Sequence, residues 1–410
     1  MAKRLLIGGI DVGTTKICTC IAEVQGDALR ILGTGWASSR GVAKGLIANL
    51  SEAVPCIRRS LEEAEEQSGQ TLDSAYVSVG GRYLRGYNRV GSTEVRGRQG
   101  LVSAEDVQRA ILEAQNGAVP DGAEVIHVLT QSYRLDDQTD IEFPLGMSGR
   151  QLSVHVHLVL NAASMVRNVV NAVQQANLAV TGVIMQPLAS AEAVLTDDER
   201  ELGAVLIDIG GGTTDITVYA KNAIWYSQVL PIGGSQITKD IAFGLRVPLE
   251  DAERLKIEQG HVDPEAVPLE EYVEVREMGS EQLRTYPRRL LCQIIQSRCE
   301  EILSACRKAL LASGLRLNLL TGVVLTGGGS LLHGLSKMAE RIFQMPVRLG
   351  VPLPVPSAQD LVFGPEHATA LGLVRYPLRI RGEQAEHIVR AQPAGRPRTE
   401  RLKNWLFERI

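Results

Sequence analysis

Two stretches half a chain apart share one grammar: "IGGIDVGTTKICTCIAEV" near the N-terminus and "LIDIGGGTTDITVY" at positions 206–219. In each, a hydrophobic run meets Asp-x-Gly and a Thr-Thr pair, then resumes as a second β-rich run. Glycines in series weaken any strand they interrupt, but they allow a tight turn that brings bare N–H groups against a large ligand. Asp11, Gly13, Thr14, Thr15 and Lys16 in the first copy answer Asp208, Gly210, Gly211, Gly212, Thr213, Thr214 and Asp215 in the second. A nest of backbone donors suits phosphate, and carboxylates beside it suit the phosphate's magnesium. One such turn could be an ordinary glycine-rich hairpin. Two of them predict related lobes that hold a triphosphate from opposite sides.

At 410 residues the chain can build two lobes with sizeable cores. Its formal charge of −4 gives no reason to expect nucleic acid as a partner. No apolar run reaches the roughly 18 residues of a membrane span, and "MAKRLLIGGIDVG" reads as a first strand because Asp11 cuts it short. The six cysteines form no CxxC pair. Cys18 and Cys20 share a strand face, and Cys292, Cys299 and Cys306 recur every seven residues along one helix stripe. Buried reduced thiols are expected. His155 and His157 share a strand face without a third ligand nearby, which argues against a metal site.

Further turns fit the same cleft. "VVLTGGGSLLHG" brings a strand into Gly327, Gly328, Gly329 and Ser330, where a base or ribose could approach the backbone. "LPIGGSQITKDIAFGL" supplies Gly233 and Gly234. "LEDAERLKIEQ" places Glu253 and Lys256 at i and i+3, on one helical face.

This ordered set resembles the actin-like ATPase superfamily of actin, heat-shock chaperones and sugar kinases. The resemblance implies an α/β fold with two duplicated lobes around a nucleotide cleft, binding ATP and Mg2+. It assigns the phosphates to the two Asp-Gly-Thr turns, the metal to Asp11 and Asp208 through water, and adenosine to Gly233, Gly234, Glu253, Lys256, Gly327, Gly328, Gly329 and Ser330. "IMQPLASAEAVL" resembles the first hinge helix, and Gln186 stands where the chaperones carry the carboxylate that orients the attacking water. Gln186, Asp208 and Asp11 are therefore the catalytic candidates. "GPEHATALGLVRY" resembles the second hinge helix.

The expected layout places first-lobe core at 1–84 and 163–202 around an inserted α+β subdomain at 85–162. Second-lobe core is expected at 203–243 and 313–380 around a helical insertion at 244–312. A flexible tether at 381–398 and a terminal helix at 399–410 complete the chain. The inserted unit separates the branches: with "GMSGRQLSVHVH", "PIGGSQITKDIA" and "AERLK", the whole length resembles the FtsA family of actin-like bacterial cell-division proteins. That resemblance implies tethering of the tubulin-like protein FtsZ to the inner membrane at the division septum. It also implies ATP-dependent self-association into filaments, recruitment of later division proteins and at most slow hydrolysis. It places the FtsZ peptide on the second-lobe insertion, where Arg289 and Arg298 are the basic candidates. Two other readings stay open, a metabolite kinase and a pilus-assembly adaptor of the same fold.

The segment "RPRTERLKNWLFERI" is basic, and Leu402, Trp405, Leu406, Phe407 and Ile410 follow helical spacing. It is expected to lie on anionic inner-membrane lipids as a peripheral anchor.

Overall fold

A computed structural model describes residues 5–26, 28–278, 282–316, 320–357 and 361–390, with residues 381–390 described by backbone alone. The duplication expected from the two turns is present in the topology. In the first lobe the strand order is Ala179–Met185, Ser74–Val79, Leu5–Val12, Lys16–Gln25, Ala28–Ser38. In the second it is Val347–Leu349, Val323–Thr326, Ala204–Ile209, Thr214–Ala220, Ala223–Leu230. Both run parallel, parallel, antiparallel, antiparallel from the first strand named. The inner strands Ala204–Ile209 and Val323–Thr326 are buried throughout and nearly continuously apolar, whereas the edge strands Ala179–Met185 and Val347–Leu349 are only partly buried.

Helices Leu50–Ser68 and Ala163–Gln175 cover one face of the first sheet through Ile57, Leu61, Val169 and Val173. The helices Gln186–Val194 and Ala368–Arg390 form a shared core between the lobes, with Leu188, Leu371 and Leu373 buried there. They approach closely because Gly372 has no side chain: a Cβ there would sit 1.7 Å from the Ala189 carbonyl oxygen. Beyond this contact Arg379 reaches Glu192 at 3.0 Å, and Glu192 is also paired with buried Arg200 at 2.9 Å.

The inserted unit runs strand Arg85–Glu94, helix Ala104–Gln115, strand Ala123–Leu135, a short strand Gln138–Ile141, and strand Gln151–Ala162. Ser103 and Asp106 form a reciprocal cap at the start of its helix. Its sheet also joins the second lobe's sheet, through the single pair Arg85–Gln228.

Two expectations are revised. The second-lobe insertion is not purely helical. Between helices Leu249–Gln259 and Arg288–Ala312 it holds a hairpin of Tyr272–Arg276 and Leu283–Pro287. Tyr286 and Pro287 end that hairpin, and the long helix begins directly after them at Arg288, where a proline at the helix start costs no intrahelical bond. The expected tether from residue 381 is helical up to Arg390. "RGEQAEHIVR" lacks proline and is rich in helix formers, whereas the prolines that favour an extended chain come later, at 393 and 397. Residues 391–398 and the terminal segment with Leu402, Trp405, Leu406, Phe407 and Ile410 lie outside the described residues.

Cys18, Cys20, Cys292, Cys299 and Cys306 are buried, and burial pushes the Cys18 thiol up to about 11. His157 bonds Asn88 at 2.7 Å and Ser227 at 2.8 Å, joining the inserted unit to the second lobe. Among the described residues no helix is long and apolar enough to cross a membrane.

Candidate nucleotide site between the lobes

Both Asp-Gly-Thr turns are closed by the same bond. Gly13 N–H donates to the Lys16 carbonyl at 3.1 Å, and Gly210 N–H donates to the Thr213 carbonyl at 2.9 Å. The turns face each other across a cleft of about 330 Å³, within the range of small-molecule sites. Their closeness depends on missing side chains. A Cβ on Gly211 would lie 2.3 Å from Thr15, and one on Gly212 2.5 Å from Thr14. The cleft is lined on the side of the two turns by Asp11, Gly13, Thr14, Thr15, Lys16, Gly210, Gly211, Gly212, Thr213 and Asp215. Gly45 joins them, its N–H donating to Thr14 Oγ1 at 3.0 Å.

The carboxylates are buried and under-compensated. Asp11 accepts from Ser78 Oγ at 2.8 Å and from Gln186 Nε2 at 3.2 Å, yet burial still raises its pKa. Asp208 accepts from Ser190 Oγ at 2.5 Å, and burial, aided by the charge of Asp11, pushes it up to about 6. Burial raises Asp215 well above the usual carboxylate range, and its Oδ1 has no hydrogen-bond partner among the described residues. Buried carboxylates raised in this way lack positive charge. A divalent cation bound through water and phosphate oxygens would supply it, and Asp11 and Asp208 both line the cleft. Among the described residues no three His, Cys, Asp or Glu side chains converge on one point, so the protein alone builds no metal cage.

Opposite the phosphate turns, Glu253 and Lys256 point together into the cleft, with Lys256 Nζ donating to Glu253 Oε2 at 2.6 Å and to Thr238 Oγ1 at 3.0 Å. Gly234, Gly327, Gly328 and Gly329 also line it. Gly327 needs its positive φ of 79°, and a Cβ there would strike Asp208 Oδ1 at 2.1 Å. This glycine lets the third turn pass directly under the second turn's carboxylate.

Three expected contacts are turned away from the cleft. Thr214 is fully buried and donates to the Ile232 carbonyl at 2.8 Å. Ser330 donates to the Gly327 carbonyl at 2.6 Å and so braces the turn from behind. Gly233 packs on the second turn, where a Cβ would lie 2.5 Å from the Gly210 carbonyl oxygen. Conversely, Ser235, Ile257, Leu332, His333, Glu366 and Thr369 line the cleft without having been singled out. Lys16 Nζ donates to the Glu366 backbone carbonyl. Thr369 hydrogen-bonds Ser190 at 2.9 Å and so tethers the second hinge helix to Asp208 through the first. "GPEHATALGLVRY" carried a hinge signal but nothing that aimed Glu366 or Thr369 at the cleft.

Arg289 and Arg298, the candidates for a peptide contact, lie on the long helix of the second-lobe insertion. Arg289 reaches Glu265 at 3.2 Å, and Arg298 pairs with Asp240 at 2.6 Å and Glu301 at 2.5 Å.

Two duplicated lobes closing on opposed Asp-Gly-Thr turns define an actin-like ATPase fold, and solved structures of that fold align over nearly the whole chain. The PilM-PilN type IV pilus biogenesis complex matches with a TM-score of 0.65 at 17% identity, over 94% of this chain and 99% of that one. MreB5 of Spiroplasma citri bound to ADP matches with a TM-score of 0.52 at 12% identity, also over 94% and 99%. Sequence relatives are much nearer. The cell division protein FtsA of Pseudomonas aeruginosa is 37% identical over 98% of this chain and 97% of its own length. That of Escherichia coli K12 is 34% identical over 98% of both. Family profiles described as cell division protein FtsA and as the SHS2 domain inserted in FtsA match residues 205–372 and 81–160, and one for the type IV pilus assembly protein PilM matches 137–267. The chain belongs to the FtsA family of cell division proteins.

Proposed function

We propose that the protein binds ATP with Mg2+ between its lobes and, in that state, self-associates and tethers FtsZ to the inner membrane at the division site. The observation that carries the nucleotide reading is the pair of opposed turns, whose glycines leave backbone donors bare beside three under-compensated carboxylates. Bound there, the metal would neutralise phosphate charge. The chain's own part is to hold the phosphates with turn N–H groups and Lys16, and to keep Asp11 and Asp208 ionised toward the cation. Gln186 donates to Asp11 and Ser78, and we assign it the orienting of a water. Slow hydrolysis is the activity such a residue supports.

The membrane contact is assigned to residues 399–410. Leu402, Trp405, Leu406, Phe407 and Ile410 would enter the interface while arginines and Lys403 face anionic lipid. So short a helix binds weakly alone, and a filament of many copies binds firmly. The FtsZ peptide is assigned to the second-lobe insertion. At Arg289 and Arg298 an acidic peptide would compete with Glu265, Asp240 and Glu301. Later division proteins are further partners of the assembled state.

Purified protein, FtsZ and vesicles containing anionic lipid should co-sediment with ATP and Mg2+. Gly328→Asp is the sharpest control, because a Cβ there meets nothing closer than 3.8 Å and the new carboxylate would enter the cleft without disturbing packing. It should abolish the ATP-induced rise in melting temperature and the ATP dependence of recruitment. Protein lacking residues 399–410 should still show the thermal shift but leave FtsZ in the supernatant. Undiminished recruitment by that truncation would remove the anchor from the proposal.

A further inference from the structure

The inserted subdomain carries an open strand edge beside a groove. Strand Arg85–Glu94 pairs along its length with Gln151–Ala162, but among the described residues its other side has one backbone pairing, Arg85 with Gln228, and the Asn88 side chain donates to the Trp225 carbonyl at 2.9 Å. The Val95 N–H bond to the Arg150 carbonyl fixes the alternation. The backbone groups of Asn88, Val90 and Ser92 therefore face outward. Helix Ala104–Gln115 packs on the face of this strand and leaves its edge free. It fits there because Gly91 has no Cβ, which would sit 2.0 Å from the Ala110 carbonyl oxygen. Strand and helix bound a groove of about 480 Å³, with Ser92 and Thr93 on one wall and Arg109, Leu112, Glu113 and Asn116 on the other. Leu112 is 56% exposed.

The edge is also strongly basic. Within residues 82–98, Arg82, Arg85, Arg89, Arg96 and Arg98 stand against one acid, Glu94, and the facing helix adds Glu113 to the groove wall. Arg82 lies over the Tyr83 ring, Arg85 donates to the carbonyls of Arg82 and Leu84, and Arg89 donates to that of Asn116. Among the described residues none of these arginines is ion-paired with a carboxylate. Arg109, by contrast, is held by Asp106.

We propose that this edge and groove form a docking site for an extended acidic peptide of a partner protein, which adds as a strand along Asn88–Ser92. Main-chain bonds to the open edge would give affinity, carboxylates would answer Arg85 and Arg89, and an apolar side chain would cover Leu112. The same charge disfavours a second copy as occupant, since two such edges would meet arginine to arginine. The site lies apart from the nucleotide cleft and does not depend on ATP being its ligand.

Short random peptides displayed on phage would be selected on the immobilised full-length chain, then tested on two variants. Val90→Pro removes an outward N–H without touching the pairing to Gln151–Ala162. Arg85→Glu with Arg89→Glu reverses the charge and leaves the backbone intact. The selected peptides should be acidic, lose roughly tenfold or more in affinity for the charge reversal, and weaken as salt rises. Bound peptide should slow deuterium exchange at the amides of Asn88, Val90 and Ser92. Selected peptides that bind both variants as well as the parent, or leave those amides unprotected, would overturn the proposal. So would an arginine dependence seen only with anionic vesicles, or only in self-association, because the occupant would then be lipid or a second copy.

Discussion

The two Asp-Gly-Thr turns are closed by one and the same hydrogen bond, yet their surroundings divide the work between the lobes. The first turn carries one glycine and a lysine, and its aspartate is held by Ser78 and Gln186. The second carries three glycines and no lysine, and its aspartate is held by Ser190, which Thr369 joins from the second hinge helix. The first turn is thus wired to the side chain that would orient a water. The second is wired to the two helices on which the lobes meet. Duplication supplied the backbone twice, and on the proposed reading the neighbours would make one copy the chemical half and the other the mechanical half.

The largest expected effect tests whether the turns must face each other at contact distance. Gly212→Val would drive a branched side chain into Thr14, 2.5 Å from where its Cβ would stand, and force the lobes apart. It should remove the ATP-induced thermal shift completely. Gly210→Ala is the matched control, since its Cβ would meet the Thr213 carbonyl oxygen at 3.3 Å and Thr213 Oγ1 at 3.8 Å, and nothing of the first turn. A thermal shift lost equally in both would mean that any change in the glycine run disables the site, and the face-to-face geometry would lose its support.

A smaller effect separates the two aspartates by pH. Asp208 titrates near about 6 in the folded chain, against about 3.9 unfolded. The native state therefore binds more protons than the unfolded state between these values. Stability of the ligand-free protein should fall as pH rises from about 4 to about 6, and the loss should be complete above that interval. Asp208→Asn should flatten the slope. If Asp208 serves Mg2+ with ATP as proposed, it must be ionised, and the ligand-induced thermal shift should grow over the same interval in the parent. A melting profile unchanged by Asp208→Asn would show that Asp11 or Asp215, raised for the same reason, dominates the response.

Much of this was legible in the chain because turns are local. Asp-x-Gly followed by Thr-Thr specifies a hairpin with bare donors wherever it occurs, and two copies specify two lobes. Glu253 and Lys256 were equally readable, since i and i+3 on a helix share a face. Side-chain direction at a turn is decided by tertiary neighbours, and there the sequence was silent. Thr213 and Thr214 look alike, but alternation on the outgoing strand sends one into the cleft and the other to the Ile232 carbonyl. Ser330 reads as a ligand contact and serves its own turn. Glu366, Thr369 and Ser190 reach the site from elements separated by much of the chain, through helix packing that no local pattern encodes. The hairpin inside the second-lobe insertion was missed for a similar reason: its short strands are flanked by strong helical periodicity.

The smallest expected effect on ATP binding concerns Gln186, where the two turns differ most in chemistry. Its amide is buried, donates to Asp11 and Ser78, and fits only because Gly80 is bare: a Cβ there would lie 2.0 Å from Gln186 Oε1. Gln186→Ala removes one of the two donors to Asp11 and leaves the glycine turns untouched. ATP binding, read as thermal shift, should change little, because the proposal has backbone N–H groups and Lys16 holding the phosphate. Phosphate release should fall by roughly 100-fold from whatever rate the parent shows, the usual scale for losing a group that positions or activates the nucleophile. The contrast with Gly212→Val is the informative quantity. If Gln186→Ala loses the thermal shift as completely as the glycine variant, the amide holds Asp11 for the cation and does not serve the water. If binding and turnover both survive, the first turn is not the chemical half, and the division of labour between the two copies fails at its first step.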